Sequence, residues 1–280
     1  MTHEPSSMSG ASQAMPEELV KLGRLAHAAG REIMRHYGQA AVRTKADDSP
    51  VTAADEAGEA IILKGLEEFW PDVPVVAEEM VAAQGRPTFS GDVFFLVDPL
   101  DGTREFIAKR DEFTVNIARI EGGRPVFGVV YAPALRRMYL GDVQNRRAFI
   151  GTCSPDEAFS EKAFVALRPE ARPKGRLRAV ASRSHRSPET DTWLKDHGIA
   201  DVVSYGSSLK LCALAEGKAD VYPRLGRTME WDIAAGQAVL EATGGQVLVA
   251  DSDEPLRYGK AEAGFANPPF VAWAAGVEPF

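Results

Sequence analysis

The stretch VFFLVDPLDGTREFI, residues 93–107, constrains this chain more than any other. An apolar run leads straight into Asp98 and Asp101, with Pro99 and Leu100 between them and Gly102-Thr103 directly after. A short run of Val, Phe and Leu bounded by Pro and Gly predicts a buried strand. Carboxylates crowded at the end of such a strand repel one another unless a proton or a cation lies between them. A positive partner is therefore expected there.

Other acids share this placement at the edge of a regular element. Glu78 and Glu79 close the strand-like VPVVAEE, Asp55 falls in the first turn before EAGEAIILKGLEEFW, and Asp232 opens WDIAAGQAVLEATGG. Thr52 and Asp55 have the spacing of a capping box. Taken singly, Asp55 and Asp232 read more readily as helix N-terminal acids favoured by the dipole, and Glu79 reads also as part of a solvated face. The Asp98/Asp101 pair resists that reading, because glycine lets the backbone turn close to a ligand. A helix beginning at Thr103 would also point its first N–H groups at the same spot, which suits a phosphate.

Grouped oxygen ligands suit a small hard cation such as Mg²⁺. The five histidines, His3, His27, His36, His185 and His197, are scattered, and Cys153 and Cys212 form neither a framework nor a ligand cluster. The cysteines read as small buried side chains in a reducing compartment. An EF-hand loop is excluded because Asp98-Pro-Leu-Asp101-Gly breaks its alternation of ligands. A phosphatase forming an aspartyl-phosphate would place its acids two residues apart rather than three. A metal-activated water is thus the expected nucleophile.

At 280 residues, with 45% hydrophobic and 26% charged residues, the chain has the composition of a globular protein of one large or two ordinary domains. Its formal net charge of -8 argues against binding nucleic-acid polymers or a membrane surface. No apolar run approaches the roughly 18 residues of a membrane span. The start, MTHEPSSMSGASQAM, lacks the apolar centre of a secretory signal and is expected to be a disordered lead over 1–15 on a cytoplasmic protein.

The stretch PEELVKLGRLAHAAGREIMRHYG carries Leu19, Leu22, Ala26, Ala29, Ile33 and Tyr37 on one helical stripe. From Phe113 to about Ile150, β-branched runs punctuated by Gly and Asn predict an antiparallel meander. A polar crossing over 151–175 follows. Beyond it LRAVASRS, ADVYP and QVLVA read as strands, while PETDTWLKDHG, SSLKLCALAEG and WDIAAGQAVLEATGG read as helices. The class is α/β (α+β) with mixed sheets. The expected organisation is an N-terminal α+β subdomain over 16–152 with most of the acids and a C-terminal α/β subdomain over 153–280 with Asp232.

Taken together, DPLDGT at 98–103, WDIAAG at 231–236, AEE at 77–79 and SPVTAAD at 49–55 resemble the acidic motifs of the inositol monophosphatase superfamily, in the expected order. The likeness runs from about Glu17 to Tyr258. It implies a layered α-β-α-β-α sandwich and lithium-sensitive, Mg²⁺-dependent hydrolysis of a phosphate monoester, with two or three ions and Mn²⁺ as a substitute. Carried over by position, Glu78, Asp98, Asp101, Asp232 and the Leu100 carbonyl would be metal ligands. Asp55 and Thr103 would orient and deprotonate the attacking water, and the Gly102 and Thr103 amides would hold the phosphate.

Within that superfamily, DGTREFI, DEFTVNIARI, SRSH at 182–185, GSSLK at 206–210 and YPR at 222–224 look most like the 3'(2'),5'-bisphosphate nucleotidase branch of sulfate assimilation. That resemblance implies hydrolysis of adenosine 3',5'-bisphosphate, and also of its sulfated precursor, with His185, Ser207, Lys210 and Arg224 on the nucleotide and its second phosphate. Lys and Arg pairing with a phosphate is chemically sound. SSLK also reads as a helix cap followed by a solvated lysine, and His185 as a loop histidine. Arg104 stands where the motif has lysine, and as a solvated cation it is expected to matter little. Inositol 1-phosphate or a sugar bisphosphate is the competing substrate class, and a non-catalytic metal- or nucleotide-binding module the competing function. The partner is expected to be a small phosphate ester, and the protein a monomer or homodimer.

Overall fold

The computed structural model describes residues 14–39, 42–44, 50–87, 91–170, 175–182, 187–252 and 254–280. The lead expected over 1–15 lies outside them except for Ala14 and Met15. The chain opens with helix α1 (Glu17–His36), a two-stranded ribbon of β1 (Val42–Thr44) and β2 (Pro50–Thr52), and helix α2 (Ala53–Phe69). Next come β3 (Val75–Ala77), α3 (Glu78–Gln84), β4 (Val93–Asp101) and the single-turn α4 (Thr103–Ile107). The expected meander follows as β5 (Thr114–Glu121), β6 (Arg124–Ala132), β7 (Arg137–Asp142) and β8 (Arg147–Thr152), with β9 (Phe164–Ala166) added beyond it. The remainder is β10 (Arg178–Ser182), α5 (Pro188–Asp196), β11 (Asp201–Tyr205), α6 (Leu209–Ala215), β12 (Val221–Arg224), α7 (Glu230–Ala242), β13 (Gln246–Val249) and β14 (Phe270–Trp273).

Strands β3 to β9 form a seven-stranded sheet in chain order, parallel only at β3–β4. Strands β10 to β14 form a five-stranded sheet ordered β11-β10-β12-β14-β13. Helices α1 and α2 cover one face of the larger sheet, α6 and α7 lie between the two sheets, and α5 packs on the smaller sheet. The order of layers is α-β-α-β-α, as the resemblance implied. No helix among the described residues is long and apolar enough to cross a membrane.

The apolar run in β4 follows from this layering. Phe95 and Val97 point into the core shared with α1 and α2, whereas Phe94 and Leu96 point into the core shared with α6 and α7. A strand covered on both faces needs apolar residues on both, so it reads as a continuous run.

Helix α7, which carries Asp232, lies close against the larger sheet because two glycines make room for it. Gly128 of β6 and Gly141 of β7 are cross-strand partners. A Cβ on Gly128 would come 2.4 Å from the Ala235 carbonyl oxygen, and one on Gly141 would come 2.7 Å from that of Ala238. Backbone cannot yield as a side-chain tip can. Gly128→Ala is therefore expected to cost about 2 kcal/mol through overpacking, read as a lower melting temperature. Gly175→Ala, whose Cβ would meet nothing within 4 Å among the described residues, should melt as the parent does. Equal melting of both variants would contradict the close approach of α7.

Candidate active site

Strand β4 does not end regularly. Asp98 pairs with Asn116 and Asp101 with Thr114, so Pro99 and Leu100 together oppose Val115 alone. Such a bulge re-aims the side chains around it, and here it places both aspartates at the sheet edge. The Leu100 amide donates to Asp98 Oδ1 at 2.9 Å, which fixes that carboxylate inside the turn. Gly102 then adopts φ 92°, a left-handed conformation that favours glycine, and α4 starts at Thr103.

Two further elements deliver acids to the same place. Glu78 is the first residue of α3, and Asp232 lies in the first turn of α7. Carboxylate oxygens of Glu78, Asp98 and Asp232 all lie within 4.8 Å of one another. Asp101 adjoins this triple, and its charge is felt at Asp232. One edge of Asp232 reaches the cavity, but protein surrounds the rest. That burial, followed by the charges of Asp101 and Glu78, holds its carboxyl well above the usual carboxylate range. A set of oxygen donors that retains a proton for want of countercharge fits a hard divalent cation, and no His or Cys joins it among the described residues.

Asp55 is both a cap and a site residue. Its Oδ2 accepts hydrogen bonds from the Thr52 amide at 2.8 Å and the Thr52 hydroxyl at 2.7 Å, which is the expected capping box. Its Oδ1 faces the Thr103 hydroxyl at 3.1 Å. That hydroxyl also lies 3.2 Å from the Leu100 carbonyl oxygen, so its one proton is shared between the two acceptors. The two readings of Asp55 are two uses of one carboxylate.

The acids stand between two cavities. One, of about 270 Å³, is lined by Ser207, Lys210, Tyr222 and Arg224. The other, of about 940 Å³, opens toward α2 and α3. Glu78, Asp101, Gly102, Thr103 and Asp232 line both. Lys210 is 9% exposed, which overturns the solvated-lysine reading of SSLK. Its ammonium donates to the Ser207 carbonyl at 2.5 Å and lies 5.8 Å from the centre of the Tyr222 ring. Burial lowers its pKa to about 8, against the opposing pull of Asp101.

Ser207 lines the cavity, but its hydroxyl donates toward Asp101 Oδ2 at 2.5 Å. It holds φ 53° without being glycine, a strain on the order of 1 kcal/mol or more that surrounding contacts must maintain. His185 lies outside the described residues. Arg104 is exposed, as expected, yet lines the smaller cavity, and Arg227 lines both. Ser208 and Glu105 also line the smaller cavity, and neither they nor Arg227 stand out in the sequence. The doubled serine in GSSLK, and the polar Thr114 and Asn116 two residues apart on a buried strand, were the available signals for the hydrogen bonding around Ser208.

A model of the inositol monophosphatase family matches residues 15–274, beyond the Tyr258 limit of the motif likeness. The chain is 43% identical over 233 residues to the 3'(2'),5'-bisphosphate nucleotidase CysQ of Salmonella typhimurium, covering 82% of this chain and 89% of that protein. It is 42% identical over 251 residues to CysQ of Escherichia coli, covering 88% and 96%. A crystal structure of CysQ from Bacteroides thetaiotaomicron, a bacterial member of the same family, superposes with a TM-score of 0.77 at 36% identity over 93% of this chain and 98% of that one. An inositol monophosphatase from Anabaena superposes with a TM-score of 0.69 at 23% identity over 92% and 90%, a likeness of fold.

Protons and a divalent cation compete for the same oxygens. Because Asp232 in the metal-free protein holds its proton above the usual carboxylate range, lowering the pH through that raised value protonates it and removes a ligand. Mg²⁺ affinity measured by calorimetry is therefore expected to fall between neutral pH and about pH 5, with protons released on binding. Constant affinity across that window would contradict a shared set of carboxylates.

Proposed function

This chain belongs to the inositol monophosphatase family, and from there we propose that it is a Mg²⁺-dependent 3'(2'),5'-bisphosphate nucleotidase that removes the 3'-phosphate of adenosine 3',5'-bisphosphate. The observation that carries this reading is the placement of Lys210 and Arg224 in the cavity beside the carboxylates. A buried ammonium lacking an anionic partner is costly. A substrate with one phosphate at the acids and a second at these cations supplies an anion to Lys210, whereas inositol 1-phosphate offers no second phosphate. The identity to the CysQ nucleotidases points the same way.

Glu78, Asp98, Asp101, Asp232 and the Leu100 carbonyl would hold two or three Mg²⁺ ions, with Mn²⁺ as a substitute. Bound there, the cations supply positive charge to the phosphoryl oxygens and acidify a water. The chain's own residues do the rest. The turn at Gly102 brings the amides of Gly102 and Thr103 to the phosphate. The Thr103 hydroxyl takes a proton from the attacking water as it passes its own to Asp55 Oδ1, 3.1 Å away. Thr52 holds the other oxygen of Asp55, so the accepting oxygen keeps its aim. The water oxygen forms the new P–O bond, the ester P–O bond breaks, and the departing ribose oxygen takes a proton from solvent.

Phosphate release from adenosine 3',5'-bisphosphate, inositol 1-phosphate and fructose 1,6-bisphosphate, each with Mg²⁺ and with EDTA, tests the reading. A large preference for the nucleotide, abolished by EDTA, is expected. Preference for either of the others, or activity indifferent to EDTA, would overturn it. Lys210→Ala and Arg224→Ala are each expected to raise KM for the bisphosphate roughly tenfold or more, the worth of one charge-assisted contact, while leaving KM for adenosine 3'-monophosphate nearly unchanged.

A pH effect follows from Lys210, whose pKa is lowered to about 8, first by burial. Below that value the ammonium is present, and above it the second phosphate keeps only Arg224. The ratio kcat/KM for the bisphosphate should therefore decline as pH rises through about 8. The same profile measured with Lys210→Ala should lose that limb.

A further inference from the structure

The face of β5 opposite the two aspartates is polar inside an otherwise apolar strand. Thr114 stands across from Asp101, Asn116 stands across from Asp98, and neither has exposed surface. Both reach the start of α6, which belongs to the other sheet's side of the molecule. The hydroxyls of Thr114 and Ser207 lie 2.6 Å apart, and Asn116 Nδ2 donates to Ser208 Oγ at 2.9 Å. Ser208 is only 3% exposed.

The available protons order these contacts. Asn116 donates to Ser208 Oγ, so the Ser208 proton is turned to the far side. There it meets the Asp232 carbonyl oxygen at 2.7 Å and Asp101 Oδ2 at 3.1 Å. With Thr114 as donor to Ser207, the Ser207 proton goes to Asp101 Oδ2 at 2.5 Å. Two serine hydroxyls thus converge on one oxygen of Asp101, and Oδ1 is the oxygen left to face a cation. One of those serines also grips the backbone of Asp232.

We propose that Ser208, oriented by Asn116, is a positioning residue of the metal site: its hydroxyl ties Asp101, at the end of β4, to Asp232, in the first turn of α7, and sets the distance between carboxylates that come from different layers. Ser207 shares the work at Asp101, so its hydroxyl is committed to the site's acids rather than to substrate. The inference rests on reading the carboxylates as a metal site. It goes beyond that reading because Ser208 and Asn116 offer no carboxylate of their own and act on the acids that would hold the cation. Partners that orient a metal ligand in this way typically carry ten- to a hundredfold of metal affinity.

The test is Mn²⁺ binding to the purified full chain, followed by electron paramagnetic resonance of the free ion, beside the melting temperature of the metal-free protein. Ser208→Ala is expected to bind Mn²⁺ about tenfold or more weakly, and Ser208→Thr, which keeps the hydroxyl, to recover most of that loss. Asn116→Ala removes only the orienting donor, should weaken binding in the same direction, and serves if the serine variants do not fold. Thr243→Ala is the control for a lost hydroxyl alone, since Thr243 donates to the Leu240 carbonyl at 2.7 Å at the far end of α7. It should lose no affinity. Parental affinity in both Ser208→Ala and Asn116→Ala would overturn the positioning role, as would an equal loss in Thr243→Ala. Absence of Mn²⁺ binding by the parent would instead overturn the metal-site reading and this inference with it.

Discussion

Carboxylates from three elements within a few ångströms of one another are an electrostatic cost that the rest of this structure is built to bear. Glu78, Asp98 and Asp232 bring oxygens within 4.8 Å, and Asp101 adds its charge to Asp232. Like charges this close depress ionisation unless a cation intervenes. Each acid is accordingly restrained. Asp98 is held by the Leu100 amide, Asp101 by two serines, and Asp232 by the Met229 amide at 2.8 Å. The bulge at Pro99-Leu100, the turn at Gly102 and the glycine pair under α7 all serve that arrangement.

The same restraint explains how recognition and chemistry are joined. Lys210 donates to the Ser207 carbonyl while the Ser207 hydroxyl donates to Asp101. The cation proposed to take the second phosphate is thus anchored on the residue that restrains an acid at the metal site. Glu230, at the start of α7, accepts from the Gly259 and Lys260 amides at 2.8 Å each. The helix carrying Asp232 is therefore fixed at its N-terminus from outside the site as well as along its length.

Much of this was legible in the sequence, for physical reasons that differ by residue. The apolar run before Asp98 marked a strand buried on both faces, and the meander after Phe113 showed in its alternation and its glycines. The acids were legible because each lies where a strand ends or a helix starts. Lys210 was not settled, since a lysine after a serine pair has the same local pattern whether it faces water or a cavity, and only packing of α6 against the two sheets buries it. Ser208 and Asn116 are 92 positions apart, and no local spacing relates them. The strand order was equally out of reach, because β10 lies between β11 and β12, with β14 beyond.

The most direct single measurement is anomalous diffraction from crystals soaked with Mn²⁺ and adenosine 5'-monophosphate, the nucleotide product of the proposed reaction. Metal-specific density is expected among Glu78, Asp98, Asp101 and Asp232, with the 5'-phosphate on Lys210 and Arg224. Metal density elsewhere, or a nucleotide whose phosphate avoids both cations, would contradict the assignment of the two halves of the site.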